Sequence, residues 1–303
     1  MSAQVEVLYR SPFGRIVDFR CRNTQPGTGK PEYIESFSVN FTRRGNFGYR
    51  VGREAFDIHS GVILLEKAGS ERVVSHHHAT KDECTAVELT PEFSEEVREH
   101  WALSGRLKRC GRVCTGEVSA SVLPATPRLD YLHSILFNAA RRCGPGSLLK
   151  VDVLLLDLLD EIGASGGLAS RRPPEEIDVT LKDRHLDAID RAKSFINANF
   201  QQELALSEIA RHAHVSVFHF SRLFKRFTSR SPYQYLIEVR LKHAALLLRH
   251  TSLSVTEVCF ESGFNSFEHF IATFTRRYSG SPTKYRSGRE RASGFVTPKS
   301  KIP

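Results

Sequence analysis

Over the first 125 residues, apolar and polar positions alternate in short runs. Phe37-Ser38-Val39-Asn40-Phe41 alternates strictly, as does the stretch around Phe47, Tyr49 and Val51. Val62 to Leu65, Arg72 to Val74 and Thr85 to Leu89 follow, with Gly27, Gly29, Gly45, Gly52, Gly61 and Gly69 between or beside them. A period of two broken by glycine turns predicts a β-sandwich or small barrel. The period then changes. Leu129, Leu132, Ile135 and Leu136, then Leu148, Leu149, Val153, Leu156, Leu158 and Leu159, recur at helical spacing and predict helices over about 127–143 and 146–162. Leu154-Leu155-Leu156 makes the second apolar on more than one side, as suits a core or a partner subunit. Gly163 to Ile177 carries three glycines and two prolines and reads as a linker tethering two domains with some freedom between them.

Beyond the linker the pattern is helical and repeats. Glu208-Ile209-Ala210 matches Glu257-Val258-Cys259, and His214-Val215 matches Gly263-Phe264, at an offset of 49. After one extra residue, Phe220, Phe224 and Arg226 match Phe270, Phe274 and Arg276, and Ser231-Pro232-x-x-Tyr235 returns as Ser281-Pro282-x-x-Tyr285. A period near 50 gives two copies of one unit rather than a solenoid. Each unit reads helix, tight turn, helix. Ser254-Val255-Thr256-Glu257 is a capping box, and Gly263 supplies a left-handed turn that His214 adopts only at some cost. Ser231-Pro232-Tyr233-Gln234 caps a long helix through Leu236, Leu241, Ala245 and Leu248 that joins the units. Phe220, Phe224, Phe270 and Phe274 are expected in the core. A major groove about 12 Å wide accepts one helix, so two units about 34 Å apart would read successive grooves on one face.

Charge sharpens this picture. The chain has 303 residues and a formal net charge of +9. Residues 179–303 hold 20 basic and 10 acidic side chains, whereas the remainder holds 23 and 24. An excess confined to the repeat region points to a polyanion as partner. With 40% hydrophobic and 25% charged residues, wholesale disorder and rod-like folds are excluded. No apolar run reaches the roughly 18–20 residues of a membrane span, and Met1 to Val7 lacks a signal core, so a soluble, cytoplasmic chain without membrane contact is expected. Six cysteines, at 21, 84, 110, 114, 143 and 259, form no C-x-x-C pair, which argues against a disulfide framework.

From Ala188 to Arg286 the chain resembles the AraC/XylS transcriptional regulators. The likeness is densest in His219 to Arg226, Ser231 to Leu236, Arg240-Leu241-x-x-Ala244, and Val255 to Val258 through Gly263-Phe264 to Ser281-Pro282-Thr283-Lys284-Tyr285-Arg286. The resemblance implies a bacterial transcription factor, an activator rather than a repressor, that binds promoter or operator double-stranded DNA and works with RNA polymerase. Carried over by position, it turns Phe218, Ser221 and Arg222 toward bases and Lys225 toward phosphate. In the second unit it does the same for Phe267, Glu268, His269, Ile271 and Ala272. Arg276, Arg277 and Lys284 are the expected backbone contacts. Arg grips guanine bidentately and Phe packs on a thymine methyl, but Ile271-Ala272 stand where the family often has a polar residue and an Arg. The second unit is therefore expected to read methyls, touch mainly phosphate, or bind loosely.

The fold class expected is a multidomain α+β chain. A cupin-like β-barrel sensing domain (1–125) and a helical dimerisation or packing segment (126–163) precede a linker (164–182). An all-α double helix-turn-helix domain (183–286) and a flexible tail (287–303) follow. The sensing domain, whose match around Arg44 to Phe47 and Asp57 to Glu71 is looser, would bind an unidentified small-molecule effector. Leu136, Leu156 and Leu159 are candidates for a homodimer face, with capping of the barrel as the alternative. No cofactor and no catalytic residues are expected. Two weaker readings concern metal: His76, His78 and Glu83 as part of a cupin box, and Cys21, Cys84, Cys110 and Cys114 as a zinc or redox cluster. They define the rival function, a cupin-type metal-dependent enzyme with an appended DNA-binding module. A non-specific DNA-bending protein is the third possibility.

Overall fold

The structure, a computed structural model, describes residues 3–22, 25–76, 81–103, 119–144, 148–165 and 179–287. Its N-terminal strands form two antiparallel sheets. The larger contains β1 (Ala3–Ser11), β2 (Gly14–Arg22), β5 (Ser38–Arg44), β8 (Val62–Glu66), β10 (Lys81–Leu89) and β11 (Ala120–Pro124), in the order β1-β2-β10-β5-β8-β11. The smaller contains β3 (Gly27–Thr28), β4 (Glu32–Tyr33), β6 (Asn46–Val51), β7 (Glu54–His59) and β9 (Glu71–His76). Of the sandwich and barrel that the alternation predicted, the sandwich forms rather than a cupin-like barrel: among the described residues no hydrogen-bonded ladder joins the two sheets. They meet face to face instead, with Tyr49, Val51 and Ile58 packed on Leu64 and Ala120. Buried Glu66 pins them, accepting from Ser38 (2.7 Å) and Asn40 (2.6 Å) of its own sheet and from Tyr49 (2.6 Å) and Arg72 (2.8 Å) of the other.

Strict alternation gives the larger sheet a second apolar face. Ile16, Val39, Phe41, Ile63, Leu65 and Val87 pack there with α1 (Pro91–Leu103), α2 (Pro127–Arg141) and α3 (Leu148–Ser165) in one core. Thr126 caps α2, its hydroxyl accepting from Leu129 N at 3.3 Å, and Pro127 occupies the first turn. Leu136 and Leu159 are completely buried and Leu156 is packed against the same core. Leu136 and Leu159 therefore hold the chain's own interior together, and Leu156 is only partly exposed.

The C-terminal region is all helical: α4 (Val179–Asn199), α5 (Leu206–His212), α6 (Val217–Thr228), α7 (Pro232–His250), α8 (Val255–Glu261), α9 (Phe267–Tyr278) and α10 (Pro282–Ser287). Its first unit shares the main core with the N-terminal half, from Phe41 and Leu132 through Ile189 to Phe220, Phe224 and Tyr235. The second unit has a core of its own around Phe264, Phe270 and Phe274. The halves are thus docked rather than merely tethered, although most of the expected linker, and the tail beyond Ser287, lie outside the described residues.

Polar groups fix the docking. Glu161 of α3 accepts from Arg128 (2.7 Å) and Lys242 (2.9 Å), and Asp157 accepts from Arg249 and from His250 (2.6 Å) of α7. Burial alone would push the Glu161 carboxyl up, but Lys242 and Arg128 hold it below the ordinary carboxylate range. Tyr131 meets His243 at 2.6 Å, and Lys193 of α4 donates to the Ser60 carbonyl and to Asp130, both at 2.9 Å.

Beside Lys193, burial pushes the Asp190 carboxyl up to about 7. Ionisation is the costly state here, so the native fold is favoured below the ordinary carboxylate range and loses that advantage as pH rises toward 7. Relative to Asp190→Asn, the wild type is expected to lose about 2–3 kcal/mol between pH 5 and pH 8. Paired denaturation curves at the two pH values measure this, and an unchanged difference between the proteins would remove Asp190 as the cause.

Candidate nucleic-acid interface

The sequence repeat is also a repeat of backbone geometry. His214 and Gly263 occupy the same turn position with φ of 56° and 80°, and Ser229 and Ser279 both close their helices at φ 56°. Val215 N donates to Ala210 O (3.1 Å), and Phe264 N to Cys259 O (3.2 Å) at the equivalent place. Each turn therefore sets its second helix in the same way. The predicted caps form too: Ser254 Oγ accepts from Glu257 N while Glu257 accepts from Ser254 N, and Ser231 and Gln234 do the same for α7.

Inward, each second helix is anchored by aromatic rings. Phe224 meets Tyr235 edge-on (5.4 Å, 86°), and fifty positions on Phe274 meets Tyr285 (5.4 Å, 85°). Phe220, Phe224, Phe270 and Phe274 are wholly buried, as expected of core residues. With one stripe of α6 and α9 so engaged, the opposite stripe faces solvent.

On α6 that stripe carries Phe218, Arg222 and Lys225, all exposed, with Ser221 half-buried. Phe218 is 72% exposed, and the Arg222 guanidinium lies 4.3 Å from its ring centroid. This cation–π contact holds the Arg222 fork on the outer surface of the helix, where it can meet a base edge. On α9, Phe267, Glu268, His269 and Ala272 are exposed, whereas Ile271 is partly buried against the second core. Ser266 Oγ caps α9 from its N-terminus and also donates to Glu268 (2.9 Å), and a backbone amide together with this hydroxyl holds the Glu268 carboxyl below the ordinary range. A carboxylate there can accept from a cytosine amino group and repels phosphate. Arg276, Arg277 and Lys284 are exposed at the C-terminal end of the same unit.

Among the described residues the metal candidates form no ligand set. His76 is buried against Asp82 (Nδ1–Oδ2 2.7 Å), whereas Glu83, one residue on, points to the opposite face of β10 and lies 3.8 Å from Arg43. Cys21 and Cys84 are free thiols that burial pushes up, Cys84 to about 12. His78, Cys110 and Cys114 lie outside the described residues. Among the described residues no group of three His, Cys, Asp or Glu side chains could hold a metal ion, and no helix is long and apolar enough to cross a membrane.

A family model described as a helix-turn-helix domain matches residues 209–288. Over 297 residues the chain is 30% identical to the lactose operon transcription activator of Staphylococcus xylosus, covering 93% of this chain and 97% of that one. Over 177 residues it is 29% identical to the HTH-type transcriptional regulator ArgR of Pseudomonas aeruginosa, spanning 54% of that relative's length. Among solved structures, the DNA-binding domain of AdpA in complex with a target DNA is 29% identical, with 35% of this chain and 96% of that chain covered and a TM-score of 0.34.

Proposed function

Because the chain belongs to the AraC-type transcriptional regulators, we propose that it activates transcription by reading a two-block operator with α6 and α9 while its N-terminal sheets bind a small molecule. The sign of regulation follows the Staphylococcus xylosus relative, whose name is that of an activator. Recruitment of RNA polymerase, action in the cytoplasm and pairing of two copies on DNA belong to this reading; catalysis and a metal do not. What supports it most is the solvent-facing Phe218–Arg222 pair on a helix whose other stripe is locked into the core.

The N-terminal signal has a physical route to the DNA. Trp101 is wholly buried, and a Cβ on Gly163 would come within 2.4 Å of its indole nitrogen. Gly163 sits two residues beyond Glu161, the residue that grips Lys242 of α7. A shift of α3 on effector binding would therefore move α7, which sets the spacing of the two units, and would alter Trp101 fluorescence.

The unequal chemistry of the two reading helices makes the first unit the main reader. Arg222→Ala is expected to lower specific affinity by roughly 1–3 kcal/mol, a 5- to 150-fold loss. Ile271→Ala, at a half-buried apolar position, is expected to cost less. Titrating each variant against a selected operator measures this; unchanged affinity on Arg222→Ala, or a larger loss on Ile271→Ala, would refute the assignment.

A further inference from the structure

Between the two units the surface opens into a cleft of about 320 Å³. One wall is the first half of α7, with Arg230 just before it and Tyr233 and Glu238 on it; the other is α9, with His269, Arg276 and Arg277. His269 belongs to the exposed reading stripe of α9, so the cleft continues directly from that surface. Arg230 follows α6 by two residues, which brings the cleft to the end of the first reading helix as well. Three guanidinium groups face one carboxylate. Glu238 takes Arg230 Nε at 2.8 Å, and the Ser229 carbonyl takes Nη1 at 3.2 Å, which leaves Arg230 Nη2 without a partner among the described residues. The Ser231 and Gln234 amides at the start of α7 are engaged by their capping box, and side chains supply the charged donors offered to an occupant. Tyr233 is 61% exposed beside them, an uncommitted hydroxyl at the rim.

We propose that this cleft seats the phosphodiester backbone crossing between the two major grooves, with Arg230 and Tyr233 as positioning residues alongside Arg276 and Arg277. The inference rests on the reading above, in which α6 and α9 lie in successive major grooves. Whatever the sequence, the stretch of duplex between those grooves then turns its minor groove, edged by two phosphate strands, toward α7. A cationic concavity joined to both reading helices complements that edge in charge and position. Contacts of this kind orient the protein on the duplex without specifying bases.

The test uses the full chain and two labelled 30-base-pair duplexes, one carrying a selected operator and one of scrambled sequence, titrated between 50 and 200 mM KCl. Arg230→Ala is expected to weaken both duplexes by the same factor and to reduce the slope of log affinity against log salt by about 0.9. Tyr233→Phe should weaken both equally and leave the slope unchanged. Glu238→Gln should strengthen both, by about two- to threefold, because it removes a repelling carboxylate; a merely structural role for the Arg230–Glu238 pair would weaken binding instead. Arg53→Ala, exposed on the N-terminal sheets, serves as the control with an unchanged slope. An unchanged slope and affinity for Arg230→Ala, or a loss confined to the operator, would overturn the proposal. Failure of the wild type to prefer the operator over scrambled duplex would instead overturn the underlying two-groove reading.

Discussion

Glu161→Ala is expected to destabilise the folded chain by about 3–5 kcal/mol. The carboxylate is buried at the seam between α3 and α7 and accepts from both Arg128 and Lys242. Removing it leaves the Lys242 ammonium, itself buried, with no close counter-charge on α3 but Asp157 further along. Desolvation already disfavours that cation, and the loss of Glu161 turns a compensated pair into an uncompensated buried charge. Denaturant titration measures the cost. The double variant Glu161→Ala with Lys242→Met should recover part of it, because the Lys242 charge is gone while Arg128 still lacks its carboxylate partner. A single-variant loss under about 1 kcal/mol would mean that this ion cluster contributes no more than a surface pair.

Gly263→Ala is expected to cost roughly 2–4 kcal/mol and to weaken binding to a two-block site by at least tenfold. The positive φ of 80° is only part of the reason, since His214 carries a side chain through the equivalent turn at 56°. The larger part is contact between the units. A Cβ on Gly263 would meet Gln201 Cα and Phe200 O, each at 2.8 Å, and both are backbone atoms that cannot swing aside. That same stretch is held by Arg240, which donates to the Phe200 carbonyl (2.7 Å) and the Gln202 carbonyl (2.8 Å), and by Gln201, which donates to the Glu261 carbonyl (2.8 Å). Relief of the clash would tilt the second unit against the first and misplace α9. His214→Gly, in contrast, should stabilise by about 0.5–1 kcal/mol, having only strain to lose. Melting temperatures of the two variants decide the matter; a Gly263→Ala melt equal to that of the wild type would show that the units do not need this contact.

The C-terminal architecture was legible because its determinants are local. Caps, turns and the Phe-Phe-Tyr triad all act within a single unit, and the duplicated unit repeats the turn at an offset of 49 and the triad at 50, down to the 86° and 85° ring angles. Strands in the N-terminal half were legible for the same reason, through alternation. Which strands pair was not, and the expected barrel became two facing sheets joined by apolar contact and Glu66. Resemblance to a cupin box put His76 and Glu83 in one motif, yet the register faces His76 with Asp82. The docking contacts were invisible for another reason. Glu161 and Lys242 are 81 residues apart, and Tyr131 and His243 are 112 apart, so each reads as an ordinary helical residue until the fold brings them together. Leu136 and Leu159 show the converse: an apolar helix face reads alike whether it packs inside one chain or on a second subunit, and these two pack inside the chain's own core.

In the proposed reading, α6 and α9 enter consecutive major grooves of one duplex. Selection of sequences by the full chain from a random duplex pool tests it most directly. The expected outcome is an enriched site of two short blocks whose centres lie about one helical turn, roughly 10–10.5 base pairs, apart, with the stronger base preferences in the block read by Arg222. Recovery of no enriched site, or of a single block with no preferred neighbour at that spacing, would contradict it.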